Sequence, residues 1–229
     1  MKIETAGAMM IGRMDDVKFP EKDRKKLEAM ANEDTAEELA ELLDEAEKLA
    51  DPVILFGVCS AKSDNGQTVW VNGVEVNSAL AAEKLSGRNR CFPYVATCGK
   101  SLEEWSKQYA DDLLTEYWAD EIKKYYVGSM RLAFYNYLKE LFHITGHLTS
   151  LNPGSITAWP LSGQAELFAV LGGKAFVEET IGVTYTESYL MLPSKSVSGI
   201  AFESEVFYEN CQFCPLKNCP GRRAKQVEE

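Results

Sequence analysis

The dipeptide Asn72-Gly73 places the strongest local constraint on the fold. It lies between two short runs rich in β-branched residues, 68–71 and 74–76. Asparagine and glycine accept the left-handed backbone of a two-residue turn, so this segment predicts an antiparallel hairpin. A second strand-turn-strand pattern is expected over 187–202, where two apolar runs flank the polar segment 194–196. Two such hairpins favour antiparallel pairing of strands over a parallel sheet.

The rest of the chain alternates irregularly between helix and strand patterns. Residues 1–50 are expected to form an N-terminal helical segment, because apolar residues recur at helical spacing from 35 to 50. A long helical region is expected from Ser101 to about Leu141. Capping boxes are predicted at Thr35 with Glu38 and at Ser101 with Glu104. Further helices are expected over 78–85, 162–171 and 175–181, and further strands over 53–58, 92–97 and 183–192. The pattern predicts an α+β fold with a mainly antiparallel twisted sheet and flanking helices.

Composition narrows the class of protein. A chain of 229 residues that is 45% hydrophobic can bury a substantial core, so we expect one domain over 1–229. The formal net charge of −11 repels a phosphate backbone and excludes nucleic acid as the main partner. No apolar run approaches the roughly 20 residues that span a bilayer, so a cytoplasmic protein without a membrane partner is expected.

Three cysteines crowd into the segment 205–229, which we describe as a Cys-rich tail. Cys211, Cys214 and Cys219 could hold an iron-sulfur cluster or a structural zinc ion. A fourth ligand would then come from elsewhere in the fold. The candidates for it are Cys59, Cys91 and Cys98. Free or regulatory thiols are the third interpretation, and composition leaves all three open.

Two polar loops carry a specific resemblance. Asn152-Pro153-Gly154-Ser155 precedes one predicted helix, and 193–199 follows the strand after a helical pair. Pro193 and Gly199 bound the second loop, and Gly199 would let another chain segment or a ligand approach the backbone. Together with Thr186-Glu187-Ser188 and Phe202, their order and separation resemble the reactivation domain of cobalamin-dependent methionine synthase. The resemblance covers 100–203, is dense from 151 to 203, and has no residue-level counterpart before residue 100.

The resemblance implies a function for the whole chain. A protein of this kind binds S-adenosylmethionine and supports the reductive remethylation of cob(II)alamin. Because the chain is too short for the other modules, the cobalamin is expected on a separate methionine synthase that lacks its reactivation domain, or on another corrinoid protein. An external electron donor such as a flavodoxin or ferredoxin would reduce the cobalt. The protein would then be an auxiliary subunit that positions the methyl donor, with no catalytic side chain of its own.

The resemblance also implies a set of binding residues. Glu140 would bind the ammonium group of the ligand, and the backbone of 153–155 would contact its adenosine or amino-acid end. The implied site residues are Glu140, Asn152, Pro153, Gly154, Ser155, Lys195, Ser196 and Ser198. The chain departs from the family pattern at Ser150 and Ser155, where the family carries an arginine and a tyrosine. Lys195 or Arg131 would then have to supply the cation that clamps the ligand carboxylate.

Two other functions remain open on the sequence. The first is an iron-sulfur redox protein that reduces a corrinoid or another partner through the Cys-rich tail. The second is a non-catalytic interaction protein that uses the acidic helix 35–50 as its contact surface. Metal analysis and a test of S-adenosylmethionine binding distinguish these two functions from the reactivation function that the resemblance implies.

Overall fold

A computed structural model of the chain describes residues 1–63, 66–155, 157–206, 208–213, 218 and 224–225. The strands are β1 (Lys2–Ala6), β2 (Met9–Arg13), β3 (Val53–Phe56), β4 (Ala61–Lys62), β5 (Val69–Val71), β6 (Val74–Val76), β7 (Phe92–Thr97), β8 (His147–Leu151), β9 (Thr184–Tyr185), β10 (Met191–Leu192) and β11 (Ser196–Ser204). The α-helices are α1 (Glu21–Glu28), α2 (Ala36–Leu49), α3 (Ala79–Leu85), α4 (Lys100–Ser106), α5 (Leu113–Phe142), α6 (Gln164–Val170) and α7 (Lys174–Ile181). Short 3-10 turns lie at Lys107–Tyr109, Leu161–Gly163 and Asn210–Gln212.

The main sheet has six strands in the order β1-β2-β3-β7-β11-β8, and each neighbouring pair is antiparallel. Strand β11 lies between β7 and β8, so Ile200 faces Pro93 on one side and Leu151 on the other. Strands β4, β5 and β6 form a second small sheet, which includes the hairpin predicted at Asn72-Gly73. The predicted α+β fold with a mainly antiparallel sheet and flanking helices is confirmed.

Helices cover both faces of the central strands. Side chains alternate along a strand, so Ile54 and Phe56 of β3 point to one face while Leu55 points to the other. The first face packs against Phe134 and its neighbours on α5. The second face packs against α6 and α7, where Phe168 lies in the same core cluster as Leu55. This two-sided cover explains why β3 and β7 are buried at every position.

The two predicted capping boxes are wrong. At α2, the Thr35 hydroxyl donates to Asn32, and the Glu38 carboxylate instead accepts from Thr115 of α5. Helix α4 begins one residue before the predicted cap, with Gly99 in the N-cap position. In both cases the polar side chains that would close the box bind to other partners, because nearby groups compete for them.

The long helical region is two helices separated by a break. Helix α5 begins at Leu113, and Asp112 caps it by accepting from the backbone N–H groups of Leu114 and Thr115. Its buried face carries aromatic residues such as Tyr126 and Phe134. None of the helices in the described part of the chain combines the length and the apolarity that a bilayer-spanning segment requires.

Several strand predictions are corrected as well. The expected strand 183–192 is the pair β9 and β10, because Thr186 closes a turn with Tyr189 and Leu190. Strand β10 pairs with β9 in a separate two-stranded sheet and not with β11, so the hairpin expected over 187–202 is wrong. The strand β8, which was not predicted, ends at Leu151, directly before the predicted loop 152–155. The N-terminal segment 1–50 begins with the β1-β2 hairpin, and its first helix begins at Glu21.

Candidate ligand-binding site

Asn152 lies at the centre of a buried polar network where β8 ends. Its amide nitrogen donates to the Ser198 carbonyl oxygen at 2.6 Å and to the Tyr94 hydroxyl at 3.2 Å. Its amide oxygen accepts from the Ser150 hydroxyl at 3.0 Å and from the Asn210 amide at 2.7 Å. An asparagine side chain has two donors and two acceptor lone pairs, so Asn152 is fully satisfied. The network therefore fixes the start of the loop that follows β8.

Gly199 makes room for this amide. A Cβ atom at position 199 would lie 2.4 Å from the Asn152 amide nitrogen and 2.6 Å from the Leu151 carbonyl oxygen. Neither atom can move away, because one belongs to a saturated network and the other to a paired strand. The sequence predicted a close backbone approach at Gly199, and the approaching group is Asn152 of the same chain.

The network extends to two more elements. The Ser198 hydroxyl donates to the Gln164 side-chain oxygen at 2.8 Å at the start of α6. The Tyr208 hydroxyl donates to the Asn210 side-chain oxygen at 3.0 Å, and the Thr149 hydroxyl donates to the Tyr208 carbonyl oxygen. Sequence reasoning found Asn152 and Ser198 but missed their partners Tyr94, Gln164, Tyr208 and Asn210. Of these partners, Tyr94 could have been found from the sequence, because its hydroxyl is a polar group within a predicted strand of mainly apolar residues.

The loop after Asn152 presents its backbone at the surface. Pro153 is buried, whereas Gly154 and Ser155 are exposed. The Gly154 N–H donates to the Trp159 carbonyl oxygen at 2.8 Å, and the Ser155 N–H donates to the Asn152 carbonyl oxygen at 3.2 Å. Gly154 has a φ of +78°, and a Cβ there would lie 2.8 Å from Leu161, so the loop requires glycine at this position. The result is a rigid, exposed turn directly beside the buried network.

A cation on α5 lies close to the same network. The Arg131 guanidinium lies 5.6 Å from the centre of the Tyr135 ring. Burial of the hydroxyl raises the pKa of Tyr135 well above its ordinary value, and Tyr94 raises it further. The charge of Arg131 and a hydrogen bond with Ser150 lower this pKa, but their effect is smaller. Tyr135 thus stays neutral and lies between Arg131 and Ser150. Position 150 is where the family that the sequence resembles carries an arginine.

Lys195 and Ser196 lie in a different place. The Lys195 ammonium is 2.6 Å from the Asp120 carboxylate on α5, and the Ser196 hydroxyl donates to the Pro193 carbonyl oxygen at 2.8 Å. Strand residues rise about 3.3 Å each, which separates Ser196 from Gly199 by about 10 Å along β11. These two predicted residues hold the start of β11 and are not part of the Asn152 network.

A buried ion pair supports this end of β11. Lys123 is buried and lies 3.2 Å from the Glu103 carboxylate, which also accepts from the backbone N–H and the hydroxyl of Ser194. Burial alone would raise the pKa of Glu103, but the Ser194 hydrogen bonds and the charge of Lys123 outweigh it and hold that pKa below its ordinary value. Glu103 is therefore ionised at neutral pH and anchors the turn before β11.

Glu140 stands apart from both groups. It is exposed in the last turn of α5, where its carbonyl oxygen accepts from the His143 N–H. Within the described residues, no hydrogen bond or ion pair joins its carboxylate to the other predicted site residues. The eight predicted residues thus fall into three places, with Asn152, Ser198 and the loop 153–155 together, Lys195 and Ser196 at the start of β11, and Glu140 on α5.

The cysteines give partial information on the predicted metal site. Cys59 and Cys91 face each other, with reciprocal backbone hydrogen bonds of 2.9 and 2.7 Å. Burial raises the pKa of Cys59 to about 11 and that of Cys91 to about 12, so both are neutral thiols near pH 7. They share a core cluster with Tyr208, which leads into the tail, whereas Cys98 belongs to another cluster. As a fourth ligand, Cys98 is therefore the poorest of the three candidates.

The tail itself is only partly described. Cys211 is partly exposed, and Cys214 and Cys219 lie outside the described residues. Among the residues that the structure does describe, no group of three or more histidine, cysteine, aspartate or glutamate side chains is arranged to hold a metal ion. The iron-sulfur and zinc predictions for the tail remain predictions.

A cavity of about 680 Å³ lies at the opposite end of β8 and β11, and Arg88, Gly146, Glu203 and Val206 are among its lining residues. Its volume is within the range of small-molecule sites. None of the predicted site residues lines it. The predicted site is therefore a surface loop over a buried network, and not this cavity.

The fold and the loop together define a class of protein. It is an α+β domain in which helices cover a mainly antiparallel sheet and a rigid glycine turn follows an edge strand. A solved structure of this class is the crystal structure of the MetH reactivation domain bound to AdoHcy. It superimposes with a TM-score of 0.64 at 14% sequence identity, covering 88% of this chain and 81% of that chain. No protein-family model matches the sequence, and no curated protein matches it. The likeness therefore establishes the fold.

Proposed function

We propose that this protein binds S-adenosylmethionine and supports the reductive remethylation of cob(II)alamin on a separate corrinoid protein. The observation that carries the proposal is the likeness in fold, over most of both chains, to a methionine synthase domain whose structure holds AdoHcy. AdoHcy is what remains of S-adenosylmethionine after its methyl group has been transferred. The dense resemblance over 151–203 falls on the loop and the network described above.

The proposed donor site is the turn at Gly154 and Ser155. Its backbone is exposed and held rigid by the saturated Asn152 network, which preorganises the polar groups that a ligand would meet. Arg131 lies near Ser150 and is the cation best placed to bind the ligand carboxylate, because Lys195 already pairs with Asp120. Glu140 lies nine residues along α5 from Arg131, which is about 13.5 Å and the opposite face of the helix, so the two cannot both hold the amino-acid end of one ligand. The proposed site uses Arg131, and the ammonium contact by Glu140 is the alternative.

The partner supplies the reactive centre. When a methionine synthase that lacks its own reactivation domain, or another corrinoid protein, is docked, its cobalt supplies the nucleophile, and a flavodoxin or ferredoxin supplies the electron. This chain's role is to hold the donor with its methyl group accessible at the protein surface. The exposed position of the 154–155 turn is consistent with that role.

Calorimetric titration of the anaerobically purified protein with S-adenosylmethionine and AdoHcy tests the proposal. We expect saturable binding, weakened roughly tenfold or more in Arg131→Gln, because a charge-assisted hydrogen bond contributes about 1.5–3 kcal/mol. Glu140→Gln tests the alternative contact and should weaken binding only if Arg131→Gln does not. Lys195→Gln is the matched control and should bind as the wild type does.

Absence of binding by the folded wild-type protein would refute the donor site. Equal affinities of wild type and Arg131→Gln would remove Arg131 from it. Iron content and visible absorption measured on the same sample address the rival function, since iron without donor binding favours a redox protein.

A further inference from the structure

Helix α5 carries an exposed apolar stripe to which none of the proposed donor-site residues belongs. Leu114, Tyr117 and Leu132 expose 45%, 54% and 62% of their surface. Residues three or four positions apart lie on one face of a helix. Steps of three and four residues therefore connect Leu114 to Leu132 along one face of α5. The stripe residues are Leu114, Tyr117, Glu121, Tyr125, Gly128 and Leu132. It spans about 27 Å of helix at 1.5 Å per residue.

Gly128 is the small residue of this stripe. It lies in the interior of α5, where a glycine costs about 1 kcal/mol relative to alanine. No atom lies within 4 Å of where its Cβ would be, and its backbone is not left-handed, so nothing within the described chain requires a glycine. The open space belongs to a cavity of about 340 Å³ between α1 and α5, whose lining includes Leu27, Met30 and Tyr125.

The rim of this groove is electrically balanced. Asp23 and Lys26 lie on the α1 side, and Glu121 and Lys124 lie on the α5 side. The chain as a whole carries a formal net charge of −11. Two copies of such a chain repel each other over most of their surface, and a balanced face is where that repulsion is least.

We propose that this stripe is the interface between two copies of the chain, with the two α5 helices packed antiparallel about a two-fold axis at the level of residues 122–123. In this arrangement Leu114 faces Leu132, and the exposed Tyr117 fills the space over Gly128. Glu121 and Lys124 pair with each other within each copy, and the two ion pairs lie side by side across the axis with acid against base. A two-fold interface has to be complementary to itself in this way. Packed helices interdigitate by placing a large side chain against a small one, and opposite charges across the interface select their register.

Sedimentation equilibrium on the full chain gives the first test, and the expected mass is twice that of one chain. Gly128→Leu places a side chain where Tyr117 of the second copy packs, and we expect the dissociation constant of the dimer to increase at least tenfold. Leucine is a better helix former than glycine, so thermal unfolding should show that this variant stays folded. Gly128→Ala fills less of the space and should weaken the dimer less.

Charge reversal tests the register. Glu121→Lys and Lys124→Glu each break the ion pair within a copy and gather like charges around the axis, and each should weaken the dimer roughly tenfold. The double variant restores the ion pair within each copy together with opposite charges across the axis, and it should recover the wild-type affinity. Glu116→Lys changes an exposed residue outside the stripe and serves as the control.

A wild-type monomer at high micromolar concentration would overturn the proposal. An undiminished dimer in Gly128→Leu would overturn it as well, and a double charge variant as weak as either single variant would exclude this register.

Discussion

Gly199 and Asn152 act as one unit, because the Asn152 amide occupies the space that any side chain at position 199 would need. The unit lies where β11 passes the end of β8, and it joins β7 through the Tyr94 hydroxyl. Every polar atom of the Asn152 side chain has a partner, so a small displacement leaves several buried groups unsatisfied at once. Rigidity of the neighbouring loop thus depends on two residues that touch no ligand in the proposal.

Gly199→Ala should destabilise the protein by about 1–3 kcal/mol, since the added methyl group overpacks a saturated site. The measurement is the free energy of unfolding from urea titration followed by circular dichroism. Gly128→Ala is the matched control, because open space surrounds that glycine and alanine is the better helix former. A Gly199→Ala protein as stable as the wild type would show that the Asn152 network can shift without cost.

Glu103 gives a pH dependence whose sign follows from its pKa. The folded-state pKa lies below the ordinary value of 4.5, so the stabilisation by Glu103 is complete well above that pH and is lost as the pH falls through the folded-state pKa. We therefore expect the difference in unfolding free energy between wild type and Glu103→Gln to be constant near neutral pH and to shrink below about pH 4.5. Urea titrations across this range measure it. Glu104→Gln, at an exposed neighbouring position, should show a much smaller difference throughout, and a difference for Glu103→Gln that grows in acid would contradict the assignment.

Strand β11 shows at the scale of elements what the sequence predicts and what it leaves undetermined. Local periodicity places β3, β7, α2 and α3 within a residue or two of their observed bounds, because burial dictates their pattern. The pairing of β11 is not local, since its neighbours are strands that begin at Phe92 and His147. A hairpin with the adjacent β10 was the nearest alternative, and the chain does not use it.

The same limit applies to the candidate site. Asn152 and Ser198 were predicted through the family resemblance of the two polar segments that contain them, although Ser198 lies in β11. Their partners are far away in sequence, with 58 residues between Asn152 and either Tyr94 or Asn210. Buried hydrogen bonds over such separations leave no periodic signal, so only the fold identifies them.

Ser78 links helix α3 to the candidate loop. Its side-chain oxygen accepts from the Ala81 N–H at 3.1 Å and donates to the Ala158 carbonyl oxygen at 2.9 Å. Because Ser78 is buried, Ser78→Ala leaves both groups without a partner, and we expect a loss of about 1–2 kcal/mol. Ser86→Ala, at the exposed opposite end of α3, should be nearly neutral in the same urea titration. Equal effects of the two substitutions would argue against the cap.

At the scale of the whole molecule, the first hundred residues and the rest of the chain share one sheet. The order β1-β2-β3-β7-β11-β8 places β11 from the C-terminal half against β7 from the N-terminal half, and β8 follows at the edge. Helix α5 from the second half covers a face of β3 and β7 from the first. Residues before 100, which have no counterpart in the resemblance, therefore form part of the structure that supports the candidate site. One domain over 1–229 stays a prediction.

Fragments 1–98 and 99–229, produced separately, should each fail to unfold cooperatively. The first lacks two of the six strands of the main sheet together with α5, and the second lacks the other four strands. Circular dichroism during thermal unfolding measures this, with the full chain as the control. A cooperative transition in the fragment 99–229 alone would mean that the region resembling the reactivation domain is independently stable.

The position of β11 also affects how the protein is made. On the ribosome, β3 and β7 leave the exit tunnel long before β11. The nascent chain therefore carries β7, a strand that is buried at every position in the folded protein, with an open edge while about a hundred more residues are translated. Folding of the sheet cannot be completed until Ser204 has emerged. Until then, nascent chains on neighbouring ribosomes can pair through the exposed edge of β7, and a chaperone that shields this strand would raise the yield of native protein.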